Sequence, residues 1–263
     1  MKTLAIIQAR MGSTRLPGKV LFDLADKTVL EHIIFRVASS HLVDQVVVAT
    51  TTNTEDQAIV DLCNRLKVSV VCGSCDDVLD RFFQVITTFN PQHVVRITGD
   101  CPIIDPKVVD MMIERHFVAN ADYTSNGIEE TFPDGEDVEV IRSEALKIAH
   151  SEANLASDRE HVTLYIRNHP ERFKLESVRY QRDLSKKRWT LDNQEDYLFI
   201  KAIYDQLYSK DKLFGMDQVL QYLNDHPELE NINAHINRNE GLAKSLKNDC
   251  IITNKKEANG HKK

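Results

Sequence analysis

Thr3-Leu4-Ala5-Ile6-Ile7-Gln8 is a short apolar run that feeds directly into Ala9-Arg10-Met11-Gly12-Ser13-Thr14-Arg15-Leu16-Pro17-Gly18-Lys19. The first piece reads as a buried strand. The second carries Arg10, Arg15 and Lys19 with no acid among them. Gly12 and Gly18 let backbone N–H groups approach a ligand closely, and Ser13 and Thr14 add hydroxyls. Cations, free amides and hydroxyls at the carboxyl end of a strand are the ingredients of a polyphosphate cradle. The spacing differs from a Walker A loop: five residues separate Gly12 from Gly18, and Val20 follows Lys19. Val20-Leu21-Phe22 is not expected to open a helix. A solvated loop that happens to be basic is the plainer alternative. A clean like-charge cluster beside two glycines favours an anion.

Outward from this loop, strand-like and helical patterns alternate. Further buried strands are expected at 45–49, 68–71 and 93–97. Helices are expected at 28–39, 54–66, 76–89 and 105–119, with Pro106 at a first helical position and Thr54 opening a capping box with Gln57. This alternation predicts an α/β fold, a Rossmann-like, mostly parallel sheet flanked by helices. Beyond residue 120 the pattern loosens. Residues 129–136 are polar and turn-rich. Helices are expected at 143–150, 158–168, 194–207 and 216–223, and strands at 173–178 and 188–191. No internal repeat or linker interrupts the chain. One domain over 1–253 is expected, with an arm at about 121–187 and a disordered, Lys-rich tail at 254–263. Ligands of such sheets bind beyond the carboxyl ends of the strands.

Composition narrows the function. The 263 residues are 42% hydrophobic and 28% charged, which is ordinary for a globular protein, and the net charge is −7. An acidic chain is a poor general binder of nucleic acid or anionic membranes, so neither partner is expected. No apolar run approaches a membrane span, and the N-terminal apolar run is too short for a signal peptide. The cysteines are odd in number and scattered: Cys63, Cys72, Cys75, Cys101 and Cys250. This is thiol usage and points to the cytoplasm.

Two carboxylates stand at expected strand ends. Asp100 in Arg96-Ile97-Thr98-Gly99-Asp100-Cys101-Pro102 suits a hard cation that also takes phosphate oxygens, and equally a turn or helix cap. Asp192 in Trp189-Thr190-Leu191-Asp192-Asn193-Gln194-Glu195-Asp196 precedes a helix, and Glu195 fits a capping pattern with it.

The string Ile6 to Leu21, with its Ala-Arg-x-x-Ser-x-Arg-x-Pro-x-Lys pattern, resembles the N-terminal signature of the CTP:sugar cytidylyltransferases, and most nearly their spore coat polysaccharide (SpsF-type) branch. The resemblance spans about residues 1–205. It implies a nucleotide-diphospho-sugar transferase (GT-A type) fold with a dimerisation arm, a homodimer, and a reaction in which CTP and an acidic sugar give a CMP-sugar and pyrophosphate. The sugar class implied is a 3-deoxy-ulosonic or nonulosonic acid. Gly99-Asp100-Cys101-Pro102 resembles the family's Gly-Asp-x-Pro, whose Asp holds metal. Leu191-Asp192 resembles its second metal-ligand segment, with Asn193 and Gln194 replacing the usual Thr and Pro. Mg²⁺ on Asp100 and Asp192 is implied. Catalytic roles fall to Arg10, Lys19 and Asp100, and nucleotide contacts to Ala9, Arg10, Gly12, Ser13, Arg15, Lys19, Arg81 and Thr98. Arg81, in Gly73-Ser74-Cys75-Asp76-Asp77-Val78-Leu79-Asp80-Arg81, suits a phosphate or the base. Acceptor contacts fall to Asp137, Glu139, Arg159 and His161. By residue type Arg159 and His161 suit an acidic sugar, and Asp137 and Glu139 suit hydroxyls or a metal. Each is also an ordinary helix-cap or salt-bridge residue.

Other readings are weaker. Cys72-Gly73-Ser74-Cys75 suits a redox dithiol, but this leaves the basic loop unexplained. Zinc lacks a second ligand pair at the right spacing. Trp189 reads as core. A glycosyltransferase would carry an Asp-x-Asp, absent here. A non-catalytic nucleotide-binding module would have lost Asp100 and Asp192.

Overall fold

The computed structural model describes residues 2–252, the Lys244 side chain apart; the expected tail lies outside them. Its strands are β1 (Thr3–Gln8), β2 (Asp23–Leu24), β3 (Lys27–Thr28), β4 (Gln45–Thr51), β5 (Ser69–Gly73), β6 (His93–Thr98), β7 (Tyr123–Ser125), β8 (Glu139–Arg142) and β9 (Leu175–Ser177). Its helices are α1 (Val29–Ala38), α2 (Gln57–Leu66), α3 (Val78–Phe89), α4 (Pro106–Ala119), α5 (Ser143–Glu152), α6 (Ala156–Glu160), α7 (Leu164–Asn168), α8 (Gln194–Leu207), α9 (Met216–Asp225) and α10 (Glu240–Lys247).

Seven strands form one sheet in the order β5-β4-β1-β6-β8-β7-β9. The neighbours β5, β4, β1 and β6 run parallel, and β8 alone is reversed, pairing antiparallel with both β6 and β7. Alternate side chains of each central strand enter opposite faces. Ala5, Ile7, Val48, Val95 and Ile97 pack under α1, α2, α4, α8 and α9. Leu4, Ile6, Val47, Ala49 and Val94 pack under α3, α5 and α7. Because both faces are covered, the middle of these strands is mostly apolar, with Arg96 of β6 the charged exception. The chain leaves β1 toward β4 and β5, then returns to the other side of β1 as β6. The crevice beyond Gln8 and Thr98 is therefore the topological switch point.

Local chemistry explains the boundaries. Thr28 and Glu31 form a capping box at α1. Asp77 caps α3, and Asp105 caps α4 with Pro106 behind it. At α8 the box is Asn193 with Asp196, so Asp192 is not the cap that the Asp192–Glu195 spacing suggested.

Several expectations fail for physical reasons. Thr54 does not cap a helix: residues 54–56 form one 3₁₀ turn, and Asp56 turns back to accept from Met11 N at 2.6 Å and from Thr51. By contrast, the expectation that no helix opens after the basic loop holds: Lys19–Leu21 is one short 3₁₀ turn, entered through Gly18 at φ 75° and left through an extended Phe22. The helix expected over 158–168 breaks into α6 and α7 at Val162, whose φ is 60°. Val162 is fully buried, so the core holds the break. The strand expected at 188–191 is an extended segment with one isolated bridge, Asp134 to Arg188. Its amides bond to loops: Trp189 N donates to Asp134 O at 2.6 Å and Leu191 N to Asp100 O at 2.8 Å. The short strands β7, β8 and β9, all within 121–187, complete the main sheet.

Candidate active site

Two carboxylates meet at the switch point because the chain forces two loops together. Gly99 follows β6 so tightly that a Cβ there would lie 2.8 Å from Gln8 O, which makes glycine obligatory. The next residue, Asp100, accepts from Leu191 N and from Thr190 Oγ1 at 3.3 Å through its carbonyl. This clasp sets the Asp100 and Asp192 side chains on one cation. Lys19 Nζ donates to Asp100 Oδ2 at 3.1 Å and to Asp192 Oδ1 at 2.7 Å. Burial alone would lower the Lys19 pKa, but the two acids outweigh it and raise it. Burial likewise opposes ionisation of Asp100, yet Lys19 and the Thr98 hydroxyl hold its pKa below the usual carboxylate range.

The basic loop lines the same cleft, of about 600 Å³, with Ala9, Arg10, Ser13, Arg15, Lys19, Thr98, Asp100 and Asp192 among its walls. Arg15 pairs with Asp192 at 2.8 Å and Glu240 at 3.0 Å. Arg10 donates to Cys75 Sγ at 3.3 Å. Arg81 lies behind Arg10 across a recess of about 140 Å³, buried, with its Nε and Nη1 unpartnered. A buried guanidinium without partners is costly and marks a place for an acceptor atom. Gly12 has no close neighbour: the nearest atom to a Cβ there is 4.0 Å away. The Ser13 hydroxyl accepts from Leu16 N at 3.3 Å, inside the loop.

A second cavity of about 310 Å³ adjoins the acid pair on the side of β8. It is lined by Asp137, Glu139 and His161, and also by Asp100 and Asp192. Glu139 is held by Arg96, by the Tyr123 hydroxyl and by Thr163 Oγ1 at 2.6 Å. Despite burial, Arg96 keeps its pKa low. Asp137 accepts from Gly135 N at 3.0 Å and pairs with Arg238. Burial and the adjacent Asp137 push Asp134 up to about 7, against the pull of Arg238 and Arg188. His161 Nε2 is buried and unpartnered, and burial lowers its pKa.

Arg159 is not in this cavity. Its guanidinium clamps Asp77 at 2.6–3.0 Å and donates to His150 O at 2.7 Å. It ties α6 to the cap of α3, so in this structure the residue expected at the acceptor is engaged as a clamp outside the cavity wall. The cavity instead receives Arg167, whose guanidinium makes one long bond, to Gly127 O at 3.4 Å. Among the described residues it is the cavity's one arginine without an ion pair. Two more residues escaped the sequence reading. Arg188 binds Asp196 through two bonds and Asp134 at 3.0 Å; it stands four residues before Asp192, a visible signal. Glu240 lies beyond the reach of the resemblance, and nothing flagged it.

Asp100 and Asp192 fit a divalent cation. They converge on one ammonium, and two carboxylates plus phosphate and water ligands are what Mg²⁺ usually takes. No cluster of three or more His, Cys, Asp or Glu suited to a metal occurs among the described residues, so ligands from the substrate are needed to complete the shell.

A parallel sheet with a basic loop after its first strand, and paired carboxylates at the switch point, defines a nucleotidyltransferase of the nucleotide-diphospho-sugar transferase fold. The chain belongs to the cytidylyltransferase family, whose model matches residues 4–221. The spore coat polysaccharide biosynthesis protein SpsF of Bacillus subtilis is 37% identical over 234 residues, 86% of this chain and 95% of that one. The solved structure of a cytidylyltransferase from Leptospira borgpetersenii superposes with a TM-score of 0.83 at 33% identity, over 90% of this chain and 100% of that one. CMP-2-keto-3-deoxy-manno-octonic acid synthetase, solved with CTP, shares the fold at a TM-score of 0.58 and 17% identity, over 78% and 99% of the two chains. The five cysteines are free, as expected, and no described helix is long and apolar enough to cross a membrane.

Proposed function

We propose that this cytidylyltransferase transfers CMP from CTP to a hydroxyl of an acidic sugar, a 3-deoxy-ulosonic or nonulosonic acid, releasing pyrophosphate for polysaccharide biosynthesis. The observation that carries the reading is Lys19 Nζ held between Asp100 and Asp192 at the foot of the basic loop. The three groups form a charge device that a triphosphate and a divalent cation can take over together. The acceptor oxygen bonds to the α-phosphorus as the bond to the pyrophosphate oxygen breaks in line. Catalysis is then positioning and charge stabilisation.

Arg10, Arg15 and Lys19 neutralise the triphosphate and the departing pyrophosphate. Ala9, Ser13 and Thr98 wall the cleft, and with the backbone of Gly12 in the same loop they offer amide and hydroxyl donors. Arg81 meets the base or a phosphate across its recess. Asp100 and Asp192 would hold Mg²⁺, which would supply positive charge at the α-phosphate and beside the acceptor oxygen. Arg167 and His161 face the acceptor's carboxylate, while Asp137 and Glu139 shape the cavity for its hydroxyls. Free thiols fit a reducing compartment, the cytoplasm. We read one domain through residue 253 and a homodimer built on the second half.

The test is thermal stability with each nucleoside triphosphate and Mg²⁺. At ~100 times Kd a ligand adds about 2.7 kcal/mol, roughly 5–10 °C here. A shift with CTP alone, followed by pyrophosphate release with ulosonic acids, is expected. A shift only with a nucleotide sugar overturns the assignment in favour of a glycosyltransferase.

A further inference from the structure

The chain beyond residue 221, where the family match ends, crosses the mouth of both cavities. Asn233 is anchored in the core, donating to Arg188 O at 3.0 Å and Asp196 at 2.9 Å. From there the segment is held by polar contacts. Arg238 donates to Phe132 O at 3.1 Å and pairs with Asp137, and Asn239 donates to Glu130 at 2.6 Å. Helix α10 then starts, and Glu240 accepts from Arg15 Nη1 at 3.0 Å. Ser245 Oγ donates to Glu160 at 2.7 Å, Asp249 accepts from Ser157 N and Oγ, and Ile252 N donates to Asn154 O at 2.7 Å. Glu240 and Gly241 line both cavities. Leu242 closes the acceptor side, and Ser245 and Asn248 the phosphate side.

No described side chain from 234 to 252 is buried. A segment without buried apolar contacts opens at low free-energy cost. Its central contact is also on the wrong group for a loaded enzyme. Glu240 places a carboxylate on a cation of the basic loop, where a triphosphate would be its like-charged rival.

We propose that residues 237–249 form a lid over the cleft, latched by Glu240 on Arg15, which an incoming nucleoside triphosphate releases. This rests on the reading of Arg15 as a triphosphate partner. In the closed form Asp192 and Glu240 share Arg15. In the loaded form Asp192 turns to the divalent cation, Arg15 to phosphate, and Glu240 loses its partner. The triphosphate binds the open form and shifts the population toward it. After pyrophosphate leaves, the latch re-forms and shields both cavities.

The experiment uses the full chain and CTP with Mg²⁺. Glu240→Gln keeps the side-chain length and removes the charge. It is expected to lower the Kd for CTP about five- to tenfold at low salt, the scale of a modest coupling between sites, with the gain shrinking as salt screens it. Ser245→Ala is expected to move Kd in the same direction by less. Hydrogen exchange across 241–250 is expected to speed up when CTP binds the wild type. CTP binding with the same Kd in Glu240→Gln, or exchange that is unchanged or slowed, overturns the lid and leaves the nucleotide assignment standing. Failure of CTP to bind either protein overturns the underlying reading and the lid with it.

Discussion

The two halves of the molecule use charge differently. In the first half, β1, β4, β5 and β6 run parallel and hold their loops at one edge. Two cations there are lightly engaged, Arg10 on a thiol and Arg81 with two unpartnered nitrogens, while Lys19 and Arg15 rest on Asp100, Asp192 and Glu240, acids that a ligand and a cation can take over. In the second half most cations are locked into ion pairs. Arg188 serves Asp134, Asp192 and Asp196, Arg159 serves Asp77, and Arg238 serves Asp137. The first half keeps charge ready for a ligand, while the second spends it mainly on holding an irregular backbone in shape. A charged residue in a motif is therefore no guide to ligand contact until its partners are known.

The largest effect should come from breaking the second half's network. Asp196 is fully buried beside Arg188. Arg188→Met leaves it unpaired, and loss of one partner of a buried pair costs about 3–5 kcal/mol. The urea midpoint is expected to fall accordingly, and a wild-type midpoint would break the comparison. Lys19→Ala in the first half should do the opposite, leaving a folded protein whose turnover drops ~10²–10³-fold, or about 3–4 kcal/mol in the barrier. Near-normal turnover would remove Lys19 from the machinery.

A smaller pair of variants sharpens the contrast inside the second half. Arg159→Ala removes bonds to a charged partner and is expected to cost about 1.5–3 kcal/mol of stability, with the acceptor KM nearly unchanged. Arg167→Ala is expected to leave the melting curve in place and raise the acceptor KM about tenfold, about 1.4 kcal/mol. If the two variants exchange these phenotypes, Arg159 is the acceptor contact after all and the clamp reading fails.

The sheet's first four strands were legible because burial on both faces writes itself as continuous apolar runs such as Val46-Val47-Val48. The cleft was legible for a related reason: Arg10, Arg15 and Lys19 lie in one loop, and Asp100 and Asp192 follow strand-like runs. The rest was hidden by distance or brevity. β7 is three residues long, and β8 four. The break at Val162 is imposed by tertiary burial, against a helical local pattern. Arg159 carried a motif's signature, yet its side chain turns to Asp77, eighty-two positions away. Arg167 and Glu240 reach the site only because non-local packing brings them there.

The smallest effect separates the mouth of the sheet from its foot by pH. At the foot, His116 is buried against His93 and Thr124, at 3.0 and 2.9 Å, and burial pulls its pKa down to about 4. The native state keeps this imidazole neutral while the unfolded chain takes a proton, so its stabilisation is lost as pH falls from ~6.5 toward 4. At the mouth, Asp134 titrates near 7. There the native state keeps a proton that the unfolded chain has released, so stability falls as pH rises from ~4 toward 7. The two slopes oppose each other over most of the same window and flatten the wild-type profile. Asp134→Asn keeps an oxygen to accept from Arg188 and deletes only the second slope. Its melting temperature should rise, relative to wild type, between about pH 5 and about pH 8. An unchanged difference between the two pH values would mean that Asp134 is ionised throughout, and that the cavity carries one more negative charge than the geometry around Asp137 allows.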